Sequence, residues 1–231
     1  MKDNSLSKLG GICCIVLGAL YVLFFVVEPG MQGMVAASEY SEYWKDVAQN
    51  PPVHVLFNLV PALVGILGLV TVPAISQLVR TENEGWVRWM SSLALLGYAV
   101  QAIGSFRALA LGPGMAEAYL AGDAATQKLI EATSLSLDPQ GWLTLGGVGL
   151  WLLVINLLAL RAGAWPKVLA YLGIACAILY WLVLAGALAG AVLGFTITTM
   201  VVLMVAGQGG PIVAPVWFIW TGLRLRKAEA S

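Results

Sequence analysis

The stretch VHVLFNLVPALVGILGLVTVPAISQLV, residues 53–79, contains no Asp, Glu, Lys or Arg. Its apolar residues do not alternate with polar ones, as the strands of a membrane barrel would. As a helix it extends about 40 Å at 1.5 Å per residue, more than the ~30 Å of a hydrocarbon core. Runs of the same kind recur along the chain. Of its 231 residues, 60% are hydrophobic and 10% charged, whereas about a quarter of a soluble domain is charged. An aqueous fold would lack the polar surface to cover itself. The sequence therefore predicts an all-α, polytopic transmembrane helix bundle, a single integral membrane domain over residues 1–231.

Six spans are expected, at about 9–27, 53–79, 87–111, 141–160, 167–190 and 208–224. Glu28-Pro29 stops the first, and Gly112-Pro113-Gly114 is expected to end the third. Pro51, Pro139, Pro166 and Pro211 each stand where a span is expected to begin, since the first helical turn tolerates a missing N–H. Asp138 is placed to cap the fourth span. Lys2 and Lys8 before an apolar run resemble a signal peptide, but Leu9–Val27 is longer than a typical hydrophobic region of about 7–15 residues and reads as a retained span. Residues 168–206 are almost continuously apolar, and about 39 residues of helix would reach near 58 Å, too far for one crossing. Two placements follow: either 191–207 is an apolar outer or re-entrant segment, or the last span starts near Thr196 and is broken by Gly207–Pro211.

Basic residues orient the chain. With the N-terminus in the cytoplasm, Lys2, Lys8, Arg80, Arg88, Arg161, Lys167, Arg224, Arg226 and Lys227 lie inside, and Lys45, Arg107 and Lys128 outside. Both termini are thus expected in the cytoplasm of a multi-pass inner-membrane protein. Trp86, Trp89 and Trp165 are assigned to an inner aromatic belt, Trp44 and Trp142 to an outer one. In the first outer loop Ala36, Tyr40, Tyr43, Trp44 and Val47 share one helical face, with Glu39, Glu42 and Asp46 on the other. This predicts an amphipathic helix on the outer interface, and residues 115–137 show a weaker version. Cys13, Cys14 and Cys176 fall inside apolar runs and read as small hydrophobes. A net charge of zero points to no nucleic acid partner.

The connector Arg161-Ala-Gly-Ala-Trp165-Pro166-Lys167-Val-Leu-Ala-Tyr-Leu-Gly173-Ile174 resembles one in a family of small bacterial membrane proteins catalogued only as a domain of unknown function. A Leu-rich span end, a Gly-aromatic-Pro-basic turn and a Leu-x-x-Leu-Gly opening carry the resemblance, together with a last span rich in Trp, Trp217 to Arg226. It implies six spans and no particular activity or cofactor. Pro215 stands where an acidic residue often begins that family's last span, so no intramembrane carboxylate is implied there.

Few positions are placed to carry chemistry. Arg107 lies about four residues, roughly 6 Å, from the outer end of the third span, where a charge must pair or reach the headgroups. Glu28 and Asp138 are its candidate partners, and the three together would bind a headgroup; the plainer reading is a snorkelling arginine. His54 and Asn58 stand one turn apart and suit proton transfer or a polar ligand. As the only histidine, His54 cannot build a multi-histidine metal site, and the plainer reading is a hydrogen-bonded structural residue. Gln101 sits near mid-span as interhelical glue. Trp151, Trp181 and Trp217, with Tyr98, would wall a pocket for a flat apolar ligand such as a quinone or carotenoid, or simply pack. Gly186, Gly190 and Gly194 form a small-residue ladder that lets another helix, internal or from a second subunit, come close.

No Walker loop, nucleophile elbow, Cys-x-x-Cys or HExxH occurs. Three functional readings stay open. The first is a non-catalytic accessory subunit or lipid-binding membrane module, with membrane lipids as its partners. The second is a small transporter or channel, motivated by Pro61, Pro73 and the Gly-Gly-Pro break. The third is an intramembrane enzyme acting on lipid at the outer face through His54, Asp138, Glu28 and Arg107.

Overall fold

The computed structural model describes residues 4–27, 40–79, 83–133, 137–138, 141–194 and 196–227. Among them are eight α-helices and no strand: α1 (Asn4–Val27), α2 (Tyr40–Gln49), α3 (Pro51–Ser76), α4 (Glu84–Ala121), α5 (Ala124–Thr133), α6 (Val148–Ala162), α7 (Lys167–Leu193) and α8 (Ile197–Lys227). A π-helical turn, Trp142–Gly147, leads into α6. Five segments are long and apolar enough to cross a membrane: Ser5–Phe24, Pro51–Ser76, Glu84–Ala121, Trp142–Ala162 and Lys167–Gly190. Helix is the form this composition demands, because it pairs every interior N–H and C=O without help from water.

Six helices close a ring. α1 packs on α3 and α8, α4 on α3 and α6, and α7 on α6 and α8. Glycines set the closest approaches. A Cβ on Gly18 of α1 would stand 2.7 Å from Ile219 Cγ1, and one on Gly222 of α8 would stand 2.7 Å from the Gly11 carbonyl oxygen. Lipid is as apolar as the helix faces, so such packing and interhelical hydrogen bonds hold the ring.

Inside the ring, polar groups pair across helices. Trp217 Nε1 donates to Asn156 Oδ1 at 3.1 Å, and Asn156 Nδ2 donates to the Leu152 carbonyl at 2.7 Å. The Asn156 amide lies against Gly173 of α7, in the space a side chain there would need. Trp151 Nε1 donates to Ser76 Oγ at 3.0 Å, itself 2.7 Å from Ser91 Oγ. Trp151, Trp165 and Phe218 meet the Trp217 ring edge-on, with centroids 6.2, 6.3 and 4.9 Å away. Trp165 is therefore a core residue, 6% exposed, where a belt residue was expected. Trp86 and Trp89 do lie exposed.

Three stretches depart from the sequence reading. Gly112-Pro113-Gly114 does not end the third long helix, and α4 continues to Ala121. Its 38 residues would extend about 57 Å, well beyond a ~30 Å core. The extension survives its proline because it carries a second core: Ala116 and Tyr119 meet Trp44 and Val47 of α2 and Ile130 of α5. Trp44 stacks on Tyr119 at 5.9 Å, and Tyr119 Oη donates to Glu131 at 2.9 Å. Protein thus covers the apolar face of α2 at Trp44 and Val47, where lipid was expected to. Asp123 heads α5 by accepting the Thr126 N–H at 2.9 Å, which holds its carboxyl below the usual range.

The third departure is α8, which starts at Ile197 and runs unbroken through Gly207–Pro211. Neither the re-entrant segment nor the break appears. Of the proposed glycine ladder, Gly186 and Gly190 are buried within the chain, while Gly194 has φ +83° where α7 stops.

Substitutions at the polar clasp test this account. Trp217→Phe keeps most of the ring but orphans Asn156 Oδ1, an expected loss of about 1 kcal/mol. Gly173→Val displaces the amide itself and should cost more. Cys13, Cys14 and Cys176 are free and buried, so a thiol-reactive dye reads unfolding on heating. The melting midpoint should fall in the order wild type, Trp217→Phe, Gly173→Val.

Candidate functional site

Two ends of the ring carry polar side chains. At the end where α3 begins, His54 is 3% exposed. Its Nε2 faces the Ala108 carbonyl of α4 at 3.2 Å. A carbonyl only accepts, so Nε2 carries the proton and Nδ1 offers its lone pair. Asn58 Nδ2 lies 3.4 Å from that Nδ1 and donates to the His54 carbonyl at 2.9 Å. Gly112 makes room for the imidazole, since a Cβ there would fall on its Nε2. Nε2 therefore serves the α3–α4 contact, while Nδ1 meets Asn58 one turn along α3 itself.

Asp138 is equally engaged. One carboxylate oxygen accepts the Trp142 N–H at 2.9 Å, and the other accepts the N–H groups of Leu143 and Thr144 at 2.8 and 2.9 Å and the Thr144 hydroxyl at 3.1 Å. It closes the N-terminal end of the π-helical turn, where a carboxylate is electrostatically favoured. Gly141, at φ +73°, turns the chain into it. Arg107 is half-buried on α4, one turn beyond Gly104, whose Cβ position lies 3.7 Å from the Leu137 nitrogen. Glu28, the other expected partner, lies outside the described residues, as does Pro139.

The remaining sequence candidates separate. Trp151 and Trp217 come together and fill the ring edge-to-face. Trp181 stands apart on α7, 37% exposed, against Gly149. Gln101 is half-buried on α4.

The opposite end is where α1 starts, α3 and α6 finish and α8 runs out. The basic residues concentrate there: Lys8, Arg88, Arg161, Lys167, Arg224, Arg226 and Lys227, against Lys45, Arg107 and Lys128 elsewhere among the described residues. A cavity of about 410 Å³ opens at this basic end, within the usual 300–1,000 Å³ of ligand sites. Leu78, just past α3, and Ala164 and Trp165, in the α6–α7 turn, form one wall. The last turns of α8 form the other, with Trp220, Thr221, Arg224, Leu225 and Lys227. Helical spacing puts Trp220, Arg224 and Lys227 on one face.

Local chemistry builds this wall. Gly163, at φ +64°, ends α6, and the Ala164 N–H returns to the Ala159 carbonyl at 3.0 Å, a Schellman closure. Pro166 then starts α7, which leaves Trp165 pointing inward against Trp217. Behind this wall, Trp165 Nε1 and Thr221 Oγ1 have no hydrogen-bond partner among the described residues, as is also true of Trp44 Nε1, Thr71 Oγ1 and Tyr98 Oη elsewhere. Each such orphan costs on the order of 1–3 kcal/mol. A helical threonine ordinarily returns its hydroxyl to the carbonyl one turn back, and Thr221 does not. Sequence reasoning missed this site. The Gly-aromatic-Pro-basic turn is visible in the sequence, but a tryptophan beside a span end reads as a lipid-belt residue, and Thr221 carries no motif.

The fold and this site define a polytopic helical membrane protein with a ligand-sized cavity at its basic end. The chain belongs to the family described as Domain of unknown function (DUF4386), which matches residues 16–222. At the level of an uncharacterised family, this agrees with the resemblance carried by the α6–α7 connector. No curated protein matches the chain, and no solved structure does.

A double-mutant cycle tests the structural assignment of His54. His54→Ala and Gly112→Ala should each lower the melting midpoint, the first by opening a cavity and the second by driving a methyl into the imidazole. Combined, the new methyl occupies the vacated space, so the double variant should be more stable than the two losses added, with a coupling of about 0.5–3 kcal/mol. Additive losses would show that His54 and Gly112 do not share this contact.

Proposed function

We propose that this chain is a six-span inner-membrane protein with both termini in the cytoplasm, and that it acts as a non-catalytic module binding an amphiphile at its cytoplasmic face. α8 closes the ring as the sixth span. The basic end faces the cytoplasm, since translocation disfavours clustered Lys and Arg in short loops. The α2–α5 assembly then lies on the outer side, its Trp44 and Val47 packed on α4.

The cavity between the α6–α7 turn and the end of α8 carries the reading. It combines apolar surface from Leu78 and Trp220 with charge from Arg224 and Lys227, the combination an amphiphile needs at a membrane interface. An enzyme is less well supported, because His54 and Asp138 already spend their polar atoms on helix contacts. A transporter is less well supported too, since the glycine stretch that suggested a broken helix lies inside continuous α8.

Native mass spectrometry of the protein extracted in mild detergent should find a discrete lipid-sized adduct. Ala164→Trp, which fills the cavity from an exposed position, should remove it without moving the melting midpoint. A protein that flies bare before and after reconstitution with membrane lipid would sink the binding reading. Cysteines introduced at Lys45 and Lys128 should react with an impermeant maleimide from outside intact cells, and one at Lys227 only after lysis.

A further inference from the structure

We propose that the lobe formed by α2, α5 and the end of α4 is hinged on the ring at Gly112-Pro113-Gly114, and that the His54 side chain is the prop that sets its tilt. This is independent of the cavity at the basic end.

The lobe and the ring are built separately. The lobe buries Trp44, Val47, Ala116, Tyr119 and Ile130, and the buried cluster of the ring contains none of them. α2 packs on α3 and α4, and α5 packs on α4. Where the described chain passes between lobe and ring, its backbone is weak. At Asn50 it leaves helical geometry, with φ −124° and ψ 58°, and Pro51 and Pro52 follow. Within α4, Pro113 has no N–H for the Leu109 carbonyl, and its ring crowds that carbonyl.

Packing around Pro113 is one-sided. Pro113 is exposed, and a Cβ on Gly114 would meet nothing within 4 Å. Gly112 is buried, and a Cβ there would fall on the His54 imidazole. Crowding on the proline's own side opens α4 there, so the helix bends away from Pro113. At 3.6 residues per turn, Ala108 stands about 140° around from Pro113. The bend therefore runs toward the face whose Ala108 carbonyl His54 holds at 3.2 Å, and so toward α3. A kink locked by packing is the simpler reading of a proline in a long helix. Here the convex side is open at Pro113 and Gly114, and the concave side rests on one imidazole. Displacing that imidazole would tilt the lobe. The lever is the helix from Gly112 to Ala121, about 14 Å long, and a proline bend of about 20° moves its tip by about 5 Å.

The test uses the full chain in lipid nanodiscs, with nitroxides on Lys128→Cys of α5 and Leu63→Cys of α3, both exposed positions. Double electron–electron resonance reads their separation. Cys13, Cys14 and Cys176 are buried, and the wild type taken through the same labelling measures their background. His54→Ala should shorten the separation by about 5 Å and broaden its distribution. His54→Gln, which keeps a donor for the Ala108 carbonyl, should shift it less. Pro113→Ala with Gly114→Ala favours unbroken helix and should not lower the melting midpoint. Added to His54→Ala, that pair should return the wild-type separation. A ring pair, Leu63→Cys with Leu188→Cys of α7, should keep its separation in every variant.

A lobe distance that His54→Ala leaves unchanged or lengthens would overturn the prop. A shift that survives Pro113→Ala and Gly114→Ala would place the motion elsewhere and overturn the hinge. A ring pair that moves together with the lobe pair would show general loosening and overturn both.

Discussion

The Trp217 indole donates to Asn156, and Asn156 occupies the space left by Gly173. That one arrangement ties α8, α6 and α7 together at a single depth. In an apolar interior its value lies less in the strength of the bond than in the alternative: a carboxamide without partners is costly wherever water is absent. Helix positions that leave Asn156 unpaired are therefore disfavoured. The rings of Trp151, Trp165 and Phe218 then have defined edges to meet, and the Trp151–Ser76–Ser91 chain extends the pairing to α3 and α4.

The cavity is a by-product of the same clasp. Trp165 turns inward because the Schellman closure at Gly163 and the restart at Pro166 leave it facing Trp217. Thr221 follows Trp217 by one helical turn and so faces the same region. The clasp consumes the nearby polar atoms of Asn156 and Trp217 but leaves the next layer toward the chain ends unpaired. Thr71 Oγ1 and Tyr98 Oη, buried in the ring, are unpaired as well. At the other end the polar groups of His54, Asn58 and Asp138 are all committed to helix contacts.

Much of the fold was legible in one dimension. Charge-free runs and proline punctuation located the long helices, and Asp138 was recognised as a cap. The misreadings share a cause. Gly112-Pro113-Gly114 looks like a terminator because local propensity opposes helix there. The α4 helix continues because Ala116 and Tyr119 bury against α2 and α5, a tertiary gain no window of α4 contains. Gly207–Pro211 was misjudged in the same way inside α8. Trp44 and Trp165 were assigned to lipid belts because sequence separates an interfacial tryptophan from a core one only through its neighbours in space.

By itself the sequence determined that this protein is helical, that it is too apolar for water, and that its basic residues crowd one end. Those follow from composition and from the need of every backbone group for a partner. Only the tertiary structure decided which polar groups stay unpaired. Pairing depends on distances between residues as far apart in the chain as Asn156 and Trp217, or Trp165 and Thr221, and those distances exist only once the ring has closed.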